Sequence, residues 1–281
     1  MQIRFGFDMS YNLPASTAMV LLLHTRPEHR PQHRLQEDLR YSCGKITETF
    51  TDSFGNHATR LQAPAGSLRL SLESVCEVSG EPDPYAPAAI QHEVSCLPSE
   101  TLQFLLPSRY CETDRLGPLA WNRFHHIIGG WARVQAVCDY VHGHIRFNYQ
   151  QARATRTAYE SWKEQVGVCR DFTHLAITLC RCLNIPARYA TGYLGDIGVR
   201  ADAAPMDFSA WFEAYIGGRW FTFDARHNCA RIGRIVMARG RDAADAALIT
   251  TFGPHFLNYF KVTTEEVSSN TRINQLEPSM A

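Results

Sequence analysis

A chain of 281 residues with 28 basic and 28 acidic side chains has no formal net charge, and 45% of its residues are apolar. That length predicts one large domain or two ordinary ones, either able to bury a substantial core. Charge balance argues against a protein that coats nucleic acid or an acidic membrane, because such proteins carry a basic excess.

The first residues, Met1-Gln2-Ile3-Arg4-Phe5, alternate and do not resemble a basic stretch followed by a long apolar run. The longest apolar run near them is 18–23, whereas a spanning helix needs about 20 residues. A cytoplasmic protein is expected, with neither membrane nor nucleic acid as partner. Ile3, Phe5, Phe7 and Met9 have the period of a half-buried strand. Thr17 to His24 predicts a second strand. Lys45 to Thr51 and His57 to Gln62 flank the turn-rich Asp52-Ser53-Phe54-Gly55-Asn56 and predict a hairpin. Leu68, Leu70, Leu72, Cys76 and Val78 again share one parity. Together these predict an antiparallel, sandwich-like region. Its histidines show no metal-ligand spacing.

Breaker-rich stretches at Glu81–Pro87 and Leu106–Arg109 bracket the expected linker. Residues 1–105 are read as a β-rich domain, 106–262 as a second domain and 263–281 as a polar tail. From Trp131 to Ile145 the apolar period becomes helical, with Val134, Val137, Cys138, Val141 and Ile145 on one face. Ala158 to Gln165 predicts a shorter helix. Gly167-Val168 breaks the pattern, and Cys169 opens a helix that Asn184-Ile185-Pro186 stops. Strands are expected at Ala187–Tyr193, Ala210–Ile216 and Arg219–Phe223, with Gly217-Gly218 as a tight turn. Helices followed by an antiparallel meander give an α+β fold class.

The nine cysteines form no CxxC pair. Zinc-ribbon, iron–sulfur and small disulfide frameworks are therefore disfavoured. Cys169 differs from the rest by its place in the first turn of a helix. Unpaired N–H groups and the helix dipole there favour the thiolate. Cys180 and Cys182, farther along, receive no such help and read as structural.

Gly167-Val168-Cys169-Arg170-Asp171-Phe172-Thr173-His174-Leu175 and Leu183-Asn184-Ile185-Pro186-Ala187-Arg188-Tyr189 resemble the core of the bacterial transglutaminase-like superfamily. So do Ala210-Trp211-Phe212-Glu213 and Gly218-Arg219-Trp220-Phe221-Thr222-Phe223-Asp224. Ala238-Arg239-Gly240-Arg241-Asp242 resembles a later block, and Asp52 to Asn56 the β-rich region that precedes the core. The resemblance implies a papain-like core of helices packed on an antiparallel sheet. It also implies a Cys–His–Asp triad acting on peptide or amide bonds through an acyl-thioester, most simply as a cysteine protease or amidase. Cys169 matches the nucleophile and Asp224 the orienting acid. Where the family places histidine, this chain has Ser209, whose hydroxyl is no base near neutral pH. His227, three residues past Asp224, is the replacement expected. His174 is about 140° round the helix from Cys169 and reads as a packing residue. Gln165 and Trp162 are further candidates, for transition-state stabilisation. No metal or other cofactor is expected; zinc would have only Cys169 and His227. The alternative is an inactive member that binds a peptide or protein.

Overall fold

Ile3, Phe5, Phe7, Met9 and Tyr11 are all buried, as their alternation with Arg4, Asp8 and Ser10 requires. They belong to the first strand of a computed structural model that describes residues 1–200 and 206–267. The polar tail expected after Val267 lies outside the described residues.

In chain order, β1 (Gln2–Leu13), β2 (Thr17–Leu21), β3 (His33–Leu35), β4 (Arg40–Tyr41), β5 (Lys45–Thr51), β6 (His57–Ala63) and β7 (Gly66–Glu77) come first. Helices α1 (Ser99–Leu102), α2 (Thr113–Phe124) and α3 (Gly130–His144) follow. Then come β8 (Arg146–Phe147), α4 (Ala158–Glu164), β9 (Val166–Gly167) and α5 (Cys169–Cys182). The chain continues through β10 (Ala187–Tyr193), β11 (Ser209–Ile216), β12 (Arg219–Phe223) and β13 (Ile235–Gly240). It closes with β14 (Ile249–Thr251) and β15 (Phe256–Glu266).

Two sheets build the β-rich region. One has the order β15-β1-β7-β3, with β4 also on β7, and the other β14-β2-β6-β5. Both recruit a strand from the far end of the chain, and the boundary expected at 262/263 falls inside β15. The third sheet, β12-β11-β10-β13, is antiparallel. Helix α5 lies against β10 and β11, with α2, α3 and α4 on its other sides. This is the papain-like arrangement expected. It goes with α5 being buried almost all round: the apolar Phe172, Leu175, Ala176, Leu179 and Cys180 are covered, and so are the polar Asp171, Thr173, His174, Thr178 and Arg181.

The helix ends where its sequence stops it. Asn184 takes a φ of +61°, and the Ile185 N–H donates back to the Cys180 carbonyl at 3.0 Å. Gly217 and Gly218, at φ +57° and +79°, supply the two left-handed residues of a hairpin turn between β11 and β12.

The bracketed linker is not a free connection. Trp131 N–H donates to Ala89 O at 2.9 Å and Gly217 N–H to Ile90 O at 2.8 Å. Gln91 Nε2 donates to Leu183 O at 2.8 Å. The segment therefore lies along the papain-like core. The Asp52–Asn56 turn docks there too. Buried Asn56 donates to Arg239 O at 2.7 Å and accepts from Arg239 N at 2.8 Å, on the edge strand β13. Tyr193 on β10 is fully buried against Phe5 of β1, with ring centroids 4.8 Å apart. One continuous apolar cluster thus joins the sandwich to the ends of β10 and β13.

Candidate active site

Cys169 is the first residue of α5. The start of that helix is fixed by Asp171, which is fully buried. Its Oδ2 accepts the Val168 N–H at 2.9 Å and the Arg156 Nη1–H at 3.0 Å. Gly167 makes this possible. A Cβ there would come within 2.6 Å of Asp171 Cβ and Oδ2, so the close approach of β9 to the helix requires glycine. Parallel pairing of β8 with β9 sets Phe147 opposite Gly167, beside Cys169.

One pocket is lined by Cys169, Ser209 and His227, together with Phe147, Asp207 and Arg226. Three of the residues named from the sequence are thus brought together. Asp224 stands behind His227, buried just past the end of β12. Its Oδ2 lies 2.8 Å from His227 Nδ1 and accepts from Arg234 Nη2 at 3.0 Å. Its Oδ1 accepts the N–H groups of Arg226 and His227 at 3.0 and 3.1 Å. Burial alone would raise this carboxyl, but Arg234 and His227 outweigh it and hold Asp224 well below the usual carboxylate range.

Cys169 behaves differently from the sequence expectation. Burial pushes its thiol above the ordinary value, despite the Arg226 charge and the Ala210 and Arg170 N–H groups, which favour the thiolate. The helix start therefore does not ionise the sulfur by itself. Desolvation is the larger effect, and a neighbouring base is needed.

The remaining candidates lie elsewhere. Trp162 donates its indole N–H to Tyr140 Oη at 3.0 Å and packs beside Tyr159. Gln165 is an exposed left-handed cap at φ +54°, and its carbonyl accepts from Arg146 N. Neither lines the Cys169 pocket. The left-handed cap turns the chain between α4 and β9, so nearness to Cys169 in sequence does not bring these side chains to the sulfur. His174 is fully buried, stacks on Tyr110 and accepts the Ala243 N–H at 3.1 Å. That is the packing role expected of it. Among the described residues no group of three or more His, Cys, Asp or Glu could hold a metal ion.

Two contributors escape sequence reasoning. Arg234 bridges Asp224 and Asp83, with 2.9 Å to Asp83 Oδ2, and stacks 4.9 Å from the Trp211 ring. Asp83 comes from the segment read as linker. No spacing rule links 83, 224 and 234; only the folded chain does.

Comparison with known proteins follows the same lines. Residues 127–225 match the description of the transglutaminase-like superfamily. A solved structure, that of a putative cysteine protease from Cytophaga hutchinsonii, is 30% identical. The alignment covers 97% of this chain and 92% of that one, with a TM-score of 0.84. The chain belongs to the transglutaminase-like superfamily. An uncharacterized protein of Mycobacterium leprae (strain TN) is 33% identical over 84 residues, 29% of this chain. The shared stretch spans 30% of that relative's length. The periplasmic domain of TgpA from Pseudomonas aeruginosa is more distant, at 16% identity and a TM-score of 0.40 over 80% of this chain and 90% of that one.

Within this transglutaminase-like chain, Ser209 occupies the first position of β11 and is buried at the pocket wall. The imidazole that shares the pocket comes from the loop after β12 instead. There the Asn228 N–H donates to the Asp224 carbonyl at 2.8 Å and closes the turn that presents His227. Among the described residues no helix is long and apolar enough to cross a membrane.

Proposed function

We propose that the protein is a cysteine-dependent amide hydrolase acting on peptides or proteins, with Cys169 as nucleophile, His227 as base and Asp224 as the orienting acid. The contact of 2.8 Å between His227 Nδ1 and Asp224, at a pocket that Cys169 also lines, carries this reading. Asp224 accepts from Nδ1–H and leaves Nε2 as the basic nitrogen. His227 takes the thiol proton as the sulfur attacks the amide carbonyl. It returns that proton to the departing amine, and the acyl group stays on sulfur as a thioester. Water then attacks the thioester and releases the acid; an amine in its place would give transfer. The raised thiol supports a base-assisted mechanism over a pre-formed thiolate. The reading also suits a reducing compartment such as the cytoplasm, since all nine cysteines are free.

Ser209 favours a second reading, that of an inactive member that binds peptides. Site-resolved alkylation separates the two. Under the first, iodoacetamide labels half-buried Cys169 faster than the exposed Cys96 and Cys229 at neutral pH. His227→Ala removes that advantage. Slow labelling of Cys169 in both proteins, with no hydrolysis of denatured casein, would leave the binding module.

A further inference from the structure

The charges on the pocket wall are not all matched. Arg231 is paired with Asp196, Nη2 to Oδ1 at 3.0 Å. Arg226 differs. Its main chain is pinned on both sides: the N–H donates to Asp224 Oδ1 at 3.0 Å, and the carbonyl accepts from His142 Nδ1 at 2.9 Å. Its guanidinium lies 3.9 Å over the ring of Phe147. Among the described residues its side chain makes no ion pair with a carboxylate. Stacking uses the face of a guanidinium and leaves the N–H groups along its edge available. That edge matches a carboxylate, with two parallel hydrogen bonds. Phe147 and Arg226 line the same pocket as the Cys169 sulfur, so an anion held there would sit beside the reacting carbon.

Asp207 also lines the pocket, and its Oδ1 accepts the Phe208 N–H at 2.7 Å. Burial raises its carboxyl to about 6, against the Phe208 N–H and the Arg226 charge. Near neutral pH it is still largely ionised, but among the described residues no ion pair joins it to Arg226, so the guanidinium edge stays open to a ligand.

We infer that Arg226 is a specificity residue that binds a carboxylate of the substrate, so that the preferred amide bond lies next to an acidic side chain or a chain-terminal carboxylate. This rests on Cys169 being the nucleophile.

The test uses two small alkylating agents that differ in charge, iodoacetate and iodoacetamide, on the full chain. Rates at Cys169 are normalised to Cys96 in the same sample. The iodoacetate-to-iodoacetamide ratio is expected to fall about tenfold in Arg226→Gln, the worth of one charge-assisted hydrogen bond. Arg226→Lys should keep part of it. An unchanged ratio, or a faster reaction of the wild type with cationic 2-bromoethylamine, overturns the assignment. A second measurement needs no reactive thiol. Cys169→Ala is titrated calorimetrically with N-acetyl-alanine, which offers a terminal carboxylate, and with N-acetyl-aspartate 1-amide, which offers a side-chain one. Binding of either, abolished by adding Arg226→Gln, supports the site and says which source it takes. Failure of both to bind overturns it, even when Cys169 reacts briskly. Arg226-dependent binding alongside an inert Cys169 overturns the nucleophile instead.

Discussion

His227 reaches back three residues to Asp224, Nδ1 to Oδ2 at 2.8 Å, and the same carboxylate gathers the backbone N–H groups of Arg226 and His227. The loop is wound round its own acid. Replacing Asp224 therefore disturbs the imidazole's tautomer and its position together. His227→Ala is expected to lower hydrolysis by two to four orders of magnitude, the usual worth of a general base (about 10²–10⁴). Asp224→Asn should lower it by about a hundredfold or more, because an amide can donate to Nδ1 and fix the wrong tautomer. Amide hydrolysis and site-resolved alkylation of Cys169, measured on both variants, check this.

Asp224 also predicts the acid limb of stability. Its folded value lies below the ordinary 3.8, with burial opposed and overcome by Arg234 and His227. The unfolded chain therefore takes up a proton first as pH falls. The contribution of this carboxylate is complete above about pH 4 and is lost progressively below it. Urea titrations from pH 7 to pH 3 should show Asp224→Asn less stable at pH 7 but with a shallower decline below pH 4. Parallel declines in the two proteins would refute this.

At the alkaline end the buried thiols act with the opposite sign. Burial raises Cys111 to about 11 and Cys76 to about 12, from an ordinary 9.0. Above about pH 9 the unfolded chain gives up these protons while the folded chain keeps them, so stability falls with rising pH. Cys111→Ala should flatten the decline between pH 9 and about 11. Denaturant midpoints across that range measure it.

Asp171 and Arg156 are both buried, 3.0 Å apart. Asp171→Ala leaves the buried Arg156 with only Glu164, 3.0 Å from its Nε, and strips Nη1 and the Val168 N–H of their acceptor, at a cost of about 1–3 kcal/mol. Combining it with Arg156→Met should recover part of that loss. Gly167→Ala, which drives a Cβ to 2.6 Å from Asp171, should also destabilise the helix start and slow Cys169 alkylation. Thermal unfolding of the four proteins tests the pair.

Elements whose signal is local were legible in the sequence. β1, the hairpin of β5 and β6, α3, α5 and the β10–β12 meander follow directly from period and from Asn or Gly stops. Helix α2 was not legible, because Gly117 and Pro118 interrupt it from within. Nor was β15, whose residues Phe256 to Lys261 are exposed and do not alternate. Cys169 and Asp224 could be named because motif order preserves them, and His227 because it follows Asp224 by three residues. Arg234, Asp83 and Arg226 could not, since each acts through a partner that only tertiary structure brings near. The expected ionisation of Cys169 failed for a similar reason. A helix start is visible in sequence, but the burial that outweighs it depends on what packs over the sulfur.

The pairing of β1 with β15, Ile3 opposite Glu266, has a consequence for how the protein is made. A ribosome delivers β1 early, yet one of its edges stays open until almost the whole described chain has emerged. The same holds for β2, which waits for β14. Both sheets are completed by late-made strands, so closure of the sandwich must follow synthesis of the papain-like core. Contacts of such long sequence separation form slowly. During the wait, the strand carrying Phe5, Phe7 and Met9 offers an unpaired edge to other nascent chains. Release before Phe256 would leave that edge permanently uncovered.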